Sequence, residues 1–308
     1  MNALARAVAL VLFWSSGFIG AELGAEASPP ATVLTWRFLL TAVVLLPWLL
    51  RALGRLDRQE WWRQTVLALL SQCLYLAGVF WAAAAGVPAG TSALIASLQP
   101  ALVLAAAVLL DGGRLRAAHL VGLLLGSAGV ALTAAGDLRA GVSVLALVLP
   151  LSAMLALTAG TLLQQRWSTT SRRPTPVMQT LAVQAVLSAG FATAWTTATG
   201  TLVPPSTSGF WIATGWAVLA GIGSYGFYYL VTTRDGAARA STLLYLTPAA
   251  TALWAALMFG QPLRATTVLG LLVSTVAVAV LASAGPTSAP PRRDGDAKRP
   301  EPDLKVSC

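Results

Sequence analysis

Residues 89–136, AGTSALIASLQPALVLAAAVLLDGGRLRAAHLVGLLLGSAGVALTAAG, align without a gap on residues 237–284, AARASTLLYLTPAATALWAALMFGQPLRATTVLGLLVSTVAVAVLASA. The offset is 148 residues throughout, and 16 of the 48 paired positions are identical. The matches include Leu98-x-Pro100-Ala101 with Leu246-x-Pro248-Ala249, Leu115-Arg116-Ala117 with Leu263-Arg264-Ala265, and Gly122-Leu123-Leu124 with Gly270-Leu271-Leu272. Self-similarity at a fixed long period marks a duplicated structural unit. Each copy also divides into two apolar runs of about 20 residues, the length a helix needs at 1.5 Å rise to cover roughly 30 Å of hydrocarbon.

The same criterion, carried outward over the chain, gives ten such runs: residues 4–24, 31–50, 65–85, 91–110, 118–136, 142–163, 177–199, 210–231, 239–259 and 266–284. Five runs per copy is an odd number, so the second copy enters the membrane from the side opposite to the first. The predicted fold is therefore all-α and polytopic, with ten transmembrane helices in two inverted five-helix repeats, 1–140 and 141–284. Inverted repeats are the usual frame for alternating access around a site near the bilayer midplane. Residues 285–308 are rich in Pro and charge with almost no apolar content, and are predicted to be a disordered cytoplasmic tail.

Charge follows the same plan. Only 10% of residues are charged and 56% are hydrophobic, far from the quarter charged in soluble domains. With the amino terminus inside, the inner connections receive Arg6, Arg51, Arg55, Arg58, Arg63, Arg114, Arg116, Arg166, Arg172, Arg173, Arg234 and Arg239, and the outer ones only Arg139 and Arg264. Twelve against two predicts both termini cytoplasmic in a bacterial inner membrane. The net charge of +9 comes from this topological bias, not from a basic face, and excludes nucleic acid as a partner. The two cysteines, Cys73 and Cys308, make neither a disulfide framework nor a metal site. Ala25-Glu26-Ala27 has the small-x-small form of a signal-peptidase site, but cleavage there would remove the first span and break the symmetry.

In order and spacing, Trp14-Ser15-Ser16-Gly17-Phe18, Arg37-Phe38, Gly90 through Leu98-Gln99-Pro100, and Tyr245-Leu246-Thr247-Pro248 resemble the recurring segments of the EamA-type transporters of the drug/metabolite transporter superfamily. The likeness covers nearly everything up to residue 284. Gly112-Gly113-Arg114-Leu115 and Gly260-Gln261-Pro262-Leu263 depart from it, because both lack the glutamate of that family's Gly-Glu-x-Leu turn. The resemblance implies a carrier of metabolites or amino-acid-like solutes, often exported.

Polar side chains inside hydrocarbon are costly and face a cavity, the bundle interior or a partner helix. Arg37, about six residues into the second run, must snorkel or pair, either with Glu22 or Glu26 or with an anionic group of a solute. Gln72, Tyr75 and Val79 share one helix face, and Gly221, Tyr225 and Tyr228 another. The 148 offset places Trp81 on Tyr229, so aromatic clusters occupy related positions in both halves, as walls of one cavity or as ordinary packing. Pro100 and Pro248 are predicted to kink their spans, with Gln99 and Thr247 beside them. Trp14, Ser15, Ser16, Gln184 and Tyr245 complete the candidate pathway. The small residues Gly122/Gly126 and Gly270/Ser274 suit close packing within the chain or a homodimer face.

No nucleophile stands with a base, no acids are paired, and no metal cluster or cofactor motif is present, so the chain does not read as an enzyme. Gly223-Ser224-Tyr225-Gly226 lacks the first glycine of a nucleophile elbow. The single histidine, His119, is expected to be solvated or interfacial at the start of the fifth run. Glu22 is the only carboxylate read near apolar depth, which favours facilitated diffusion or exchange over proton coupling. The sequence thus predicts a secondary transporter of a small neutral or zwitterionic metabolite, with export favoured. Multidrug efflux, uptake, and a non-transporting scaffold remain as alternatives.

Overall fold

The computed structural model describes residues 1–54, 56–110, 115–170 and 175–283. The expected tail 285–308, the first Gly-Gly-Arg turn at 112–114, and Arg55, Arg172 and Arg173 lie outside these. All regular structure among the described residues is helical. In chain order the helices are α1 (Ala3–Ala27), α2 (Pro30–Val44), α3 (Leu46–Leu53), α4 (Arg58–Leu67), a π-helical stretch (Ala68–Leu74), α5 (Tyr75–Ala84), α6 (Ala89–Ala96), α7 (Gln99–Leu110) and α8 (Ala117–Arg139). The second half holds α9 (Val144–Thr170), α10 (Val177–Ala198), α11 (Ser208–Asp235), α12 (Ala237–Leu244), α13 (Thr247–Phe259) and α14 (Ala265–Ser283).

Local chemistry sets several of these boundaries. The Asn2 side chain accepts from the Ala5 amide at 2.8 Å and the Asp57 carboxylate from the Glu60 amide at 2.7 Å, satisfying N–H groups that have no partner inside the helix. Gly260, at φ +63°, closes α13 in the left-handed conformation that glycine adopts without a Cβ penalty. Seven helical segments among the described residues are long and apolar enough to cross a bilayer: 3–27, 58–84, 89–110, 117–139, 144–168, 177–198 and 208–235. The α2–α3 pair, bent by 69°, makes an eighth if counted as one span, and α13 and α14 are shorter apolar helices.

The duplication is visible in the backbone. Helix is interrupted at Ser97–Leu98 and again at Tyr245–Leu246, positions 148 apart, as the repeat requires. Pro100 and Pro248 then fall in the first turn of α7 and of α13, where a missing N–H costs little. The prolines therefore begin new helices rather than kinking continuous ones.

α8 and α14, the last helices of the two halves, pack at small residues. A Cβ on Gly129 would meet Ser274 Oγ and lie 2.6 Å from the Gly270 carbonyl, and one on Gly270 would meet Thr133 Oγ1. A Cβ on Gly126 would come within 2.7 Å of Leu98. The stripe that suits either packing or a dimer face is thus engaged within the chain at Gly126, Gly270 and Ser274, and Gly122 is buried. Close backbone approach of this kind replaces the hydrophobic drive that lipid cannot supply. α1 runs between the halves, against α11, α13 and α5, so cleavage after Ala27 would remove a central element.

Two ends of the bundle are distinguished by their contacts. At one end the Arg63 guanidinium lies 5.8 Å from the Trp167 ring centroid, which places the start of α4 and the end of α9 on the same side, and Arg6 pairs with Asp235. At the other, Thr32 and Trp36 donate to the carbonyls of Thr201 and Leu202, and Arg264 meets Asp137. Among the described residues the first end, with Arg6, Arg58, Arg63, Arg166 and Arg234, is the arginine-rich one.

One expectation fails here. His119 is 1% exposed, and neither ring nitrogen has a partner among the described residues. It falls at the third residue of α8, on the buried face that also carries Gly122 and Gly126, so helical phase rather than polarity decides its place.

Candidate substrate cavity

A cavity of about 730 Å³ lies between the halves. Its walls come from the middle of α1 and α2, the π-helical stretch and α5, the start of α7, the end of α9, the start of α10, and the second half of α11. α7, α9, α10 and α11 contribute segments from mid-membrane toward the arginine-rich end, as with Leu157 to Gln165 of α9 and Val177 to Gln184 of α10, whereas α5 contributes Tyr75 to Phe80 in the half nearer the other end. The opposite half is filled by one packed cluster in which Ile19, Val33, Leu34, Phe80, Ala89, Ala153, Phe210 and Ala255 are buried together. Among the described residues, the lining thus runs toward one end of the bundle, and packed side chains seal the other.

Polar contacts reinforce the sealed end. Gln261 Nε2 donates to Glu22 at 2.9 Å while its Oε1 accepts from the Ala89 amide at 3.2 Å, tying α1, α6 and the turn after α13. Thr91 donates to Asp137 at 2.6 Å, and Asp137 lies 3.3 Å from Arg264 Nη1. Glu22 was expected to be the only carboxylate near apolar depth. α8 instead continues to Arg139, past the expected end at 136, and carries Asp137 into a fully buried position. Nothing in hydropathy alone marks a carboxylate one residue beyond an apolar run as buried; its opposite-charge partner sits 127 residues away.

Of the sequence candidates, Trp14, Arg37, Gln72, Tyr75, Gln99, Gln184, Tyr225, Tyr228 and Tyr229 line the cavity, as does Pro100. Trp14 packs against Tyr225 and Tyr228 with ring centroids 6.2 and 5.7 Å apart. Gln99 Nε2 donates to Thr161 at 3.0 Å, Gln184 Nε2 to Gln64 at 3.0 Å, and Gln72 Nε2 to the Tyr225 hydroxyl at 3.4 Å. Ser71, Thr161, Gln164, Gln165 and Thr180 also face the cavity, unmarked by the sequence patterns. Ser71 and Gln72 fall in the π-helical stretch, whose extra residue per turn is invisible to a 3.6-residue periodicity.

The remaining candidates lie elsewhere. Ser15 is buried with its hydroxyl toward the Thr247 carbonyl, Ser16 caps back onto Phe13, and Thr247 and Pro248 are buried at the α1–α13 contact. Trp81, 36% exposed, faces outward, because α5 turns Val79 and Phe80 inward instead. Tyr245 sits in the break before α13, off the cavity wall.

Arg37 stands mid-way along α2, is 9% exposed, and bonds through Nε to the Ala217 carbonyl at 3.1 Å. Neither Glu22 nor Glu26 pairs with it. Glu22 is held by Gln261 at the sealed end, and Glu26 is exposed a further turn along α1. The expected anchoring ion pair is therefore replaced by a guanidinium on the cavity wall.

The family model of the EamA-like transporter family matches residues 1–135 and then again 143–283. The chain belongs to the EamA-like transporter family. It is thus a multi-pass membrane transporter of the drug/metabolite type, and members of the EamA-like family are transporters rather than enzymes. No curated protein matches the chain. A solved structure described only as "Crystal structure of protein" is similar, with a TM-score of 0.61 and 18% identity over 90% of this chain and 95% of that one. At that identity the likeness shows the fold alone.

Proposed function

We propose that this protein is a secondary transporter that crosses a bacterial inner membrane ten times, with both termini cytoplasmic, and moves a small organic metabolite by alternating access. The observation that carries this reading is the cavity: among the described residues its lining runs to the arginine-rich end, and packed side chains close the other. If the arginine-rich end is cytoplasmic, by the positive-inside rule, this is an inward-facing conformation. In it the cavity meets solute inside the cell, which favours export. α2 with α3 and α12 with α13 supply the two crossings beyond the long helices, with α14 as the tenth.

Aromatic rings and neutral amides dominate the wall, a lining suited to a metabolite with an apolar body. Purified protein in liposomes, preloaded with candidate metabolites and tested for exchange of labelled solute, tests the proposal. Flux that exceeds protein-free vesicles and saturates with concentration is the expected result; its absence across amino acids, organic acids and their amides would overturn the carrier reading.

A further inference from the structure

We infer that the transported solute carries a carboxylate, and that Arg37 is the group that binds it. The inference rests on the carrier reading and narrows the neutral or zwitterionic class expected from the sequence. Among the described residues that line the cavity Arg37 is the only charged one; every other polar contributor is an amide, a hydroxyl or the Trp14 indole. A buried guanidinium without a counter-ion is costly, and a cation at the bilayer centre marks a functional partner by default.

The geometry leaves that partner to be supplied. Arg37 Nε is used by the Ala217 carbonyl, while Nη1 is buried and has no partner among the described residues. Gly221 lets the guanidinium lie against α11, since a Cβ there would come 2.8 Å from Nη2. The fork is thus fixed on one helix backbone and still has an unsatisfied donor. Behind it lies a pocket of about 10 Å³, bounded by Arg37, Thr41, Gln72 and Tyr225. That volume admits no more than one water-sized group, too little for a counter-ion. Arg37 also lines the large cavity, and among the described residues that is the side from which a carboxylate would approach the guanidinium.

A carboxylate fits better than a neutral polar group, because planar bidentate or charge-assisted bonding to arginine is both stronger and more directional. Trp14, Tyr225 and Tyr228 form the adjoining wall and would contact the apolar or aromatic remainder of the solute. With no acid on the wall among the described residues to hold an ammonium, the carboxylate and not the amine is the group recognised. Organic acids and amino acids therefore belong to one class for this site, and their amides and decarboxylated amines do not.

The test uses the full-length detergent-solubilised protein and thermal stabilisation by matched probes: leucine, leucinamide, 4-methylpentanoate and isoamylamine, with the corresponding phenylalanine-derived set. The expected result is stabilisation by the carboxylates of at least one set and a dissociation constant about 10- to 100-fold weaker for its amide and amine, the loss of one charge-assisted bond. Arg37→Gln abolishes that preference, and Arg37→Lys, which keeps the charge without the fork, retains part of it. Stabilisation by amides or amines as strong as by acids, or by none of the probes, overturns the proposal. So does an acid preference that survives in Arg37→Gln. Because the wild-type comparison stands alone, it decides the matter even if a variant does not fold. Carboxylate binding without flux in liposomes would overturn the carrier reading and leave the Arg37 assignment intact.

Discussion

Gly90 and Ala252 provide a lever on the sealed end. They lie where α6 crosses α13, and a Cβ added at Gly90 would stand 2.8 Å from the Ala252 Cβ and 3.1 Å from its Cα. Ordinary contact begins near 3.4 Å, so Gly90→Ala forces the two helices apart by about 0.6 Å at a point of backbone rather than of flexible side chain, an overpacking that costs about 1–3 kcal/mol. If that crossing is made only when this end is closed, the cost falls on one conformation. The equilibrium then shifts toward the state open at this end by about 5- to 150-fold.

The assay uses a variant with Cys73 and Cys308 replaced by serine and a reporter Ala255→Cys, a position 1% exposed within the sealing cluster. A membrane-impermeant maleimide added from the sealed side should label it at least about fivefold faster with Gly90→Ala than without, at the low end of the range above. Faster labelling accompanied by slower labelling of a Gln164→Cys reporter, on the cavity wall toward the open end, would complete the picture. A lower melting temperature with unchanged labelling at both positions would refute it, since the crossing would then stabilise the fold without setting the conformation.

Other expectations follow from the same contacts. Arg264→Ala should lower the melting temperature more than Asp137→Asn, because it strands the Asp137 carboxylate, whose side chain is 1% exposed, without its cation, whereas Asp137→Asn leaves unpaired only the 34%-exposed Arg264 and still accepts from Thr91; stranding a charge costs about 3–5 kcal/mol at full burial and less here. Gly270→Leu should prevent α8 and α14 from meeting and yield protein that elutes as aggregate, whereas Gly209→Leu, where a Cβ meets nothing within 4 Å, should elute like wild type. Arg6→Asp and Asp235→Arg should each impair exchange in liposomes, and the double variant should recover much of it if the 2.6 Å pair matters for the pair alone. Gln99→Leu, which leaves Thr161 without its 3.0 Å donor on the cavity wall, should raise the KM of exchange several-fold with little change in melting temperature.

What the chain discloses without coordinates depends on the range of the interaction. The repeat was readable because symmetry leaves identical residues at a constant offset, and the breaks at Ser97–Leu98 and Tyr245–Leu246 repeat that offset in the backbone. Helix faces were readable where the period held: Tyr75 with Val79, and Gly221 with Tyr225 and Tyr228, do meet one cavity. Phase errors appear where it did not. The π-helical stretch moves Ser71 onto the wall, and the 148 offset that pairs Trp81 with Tyr229 does not carry over to the cavity, since only Tyr229 reaches it. Partners distant in sequence were beyond reach altogether. Proximity along the chain suggested Glu22 for Arg37, yet Glu22 is taken by a residue 239 positions away and Arg37 by a backbone carbonyl 180 away.

The 69° bend after Val44 has a consequence for the surrounding lipid. α2 contains 15 residues, about 22 Å of helix at 1.5 Å per residue, against a hydrocarbon thickness near 30 Å. The missing depth is made up by α3, which leaves obliquely and presents Leu46, Leu50 and Leu53 outward with Arg51. Acyl chains on that flank therefore meet a ledge rather than a wall, and must shorten or splay around it. Arg37 sits on the short helix above that ledge, so the thickness of the bilayer bears directly on the depth at which its guanidinium is held.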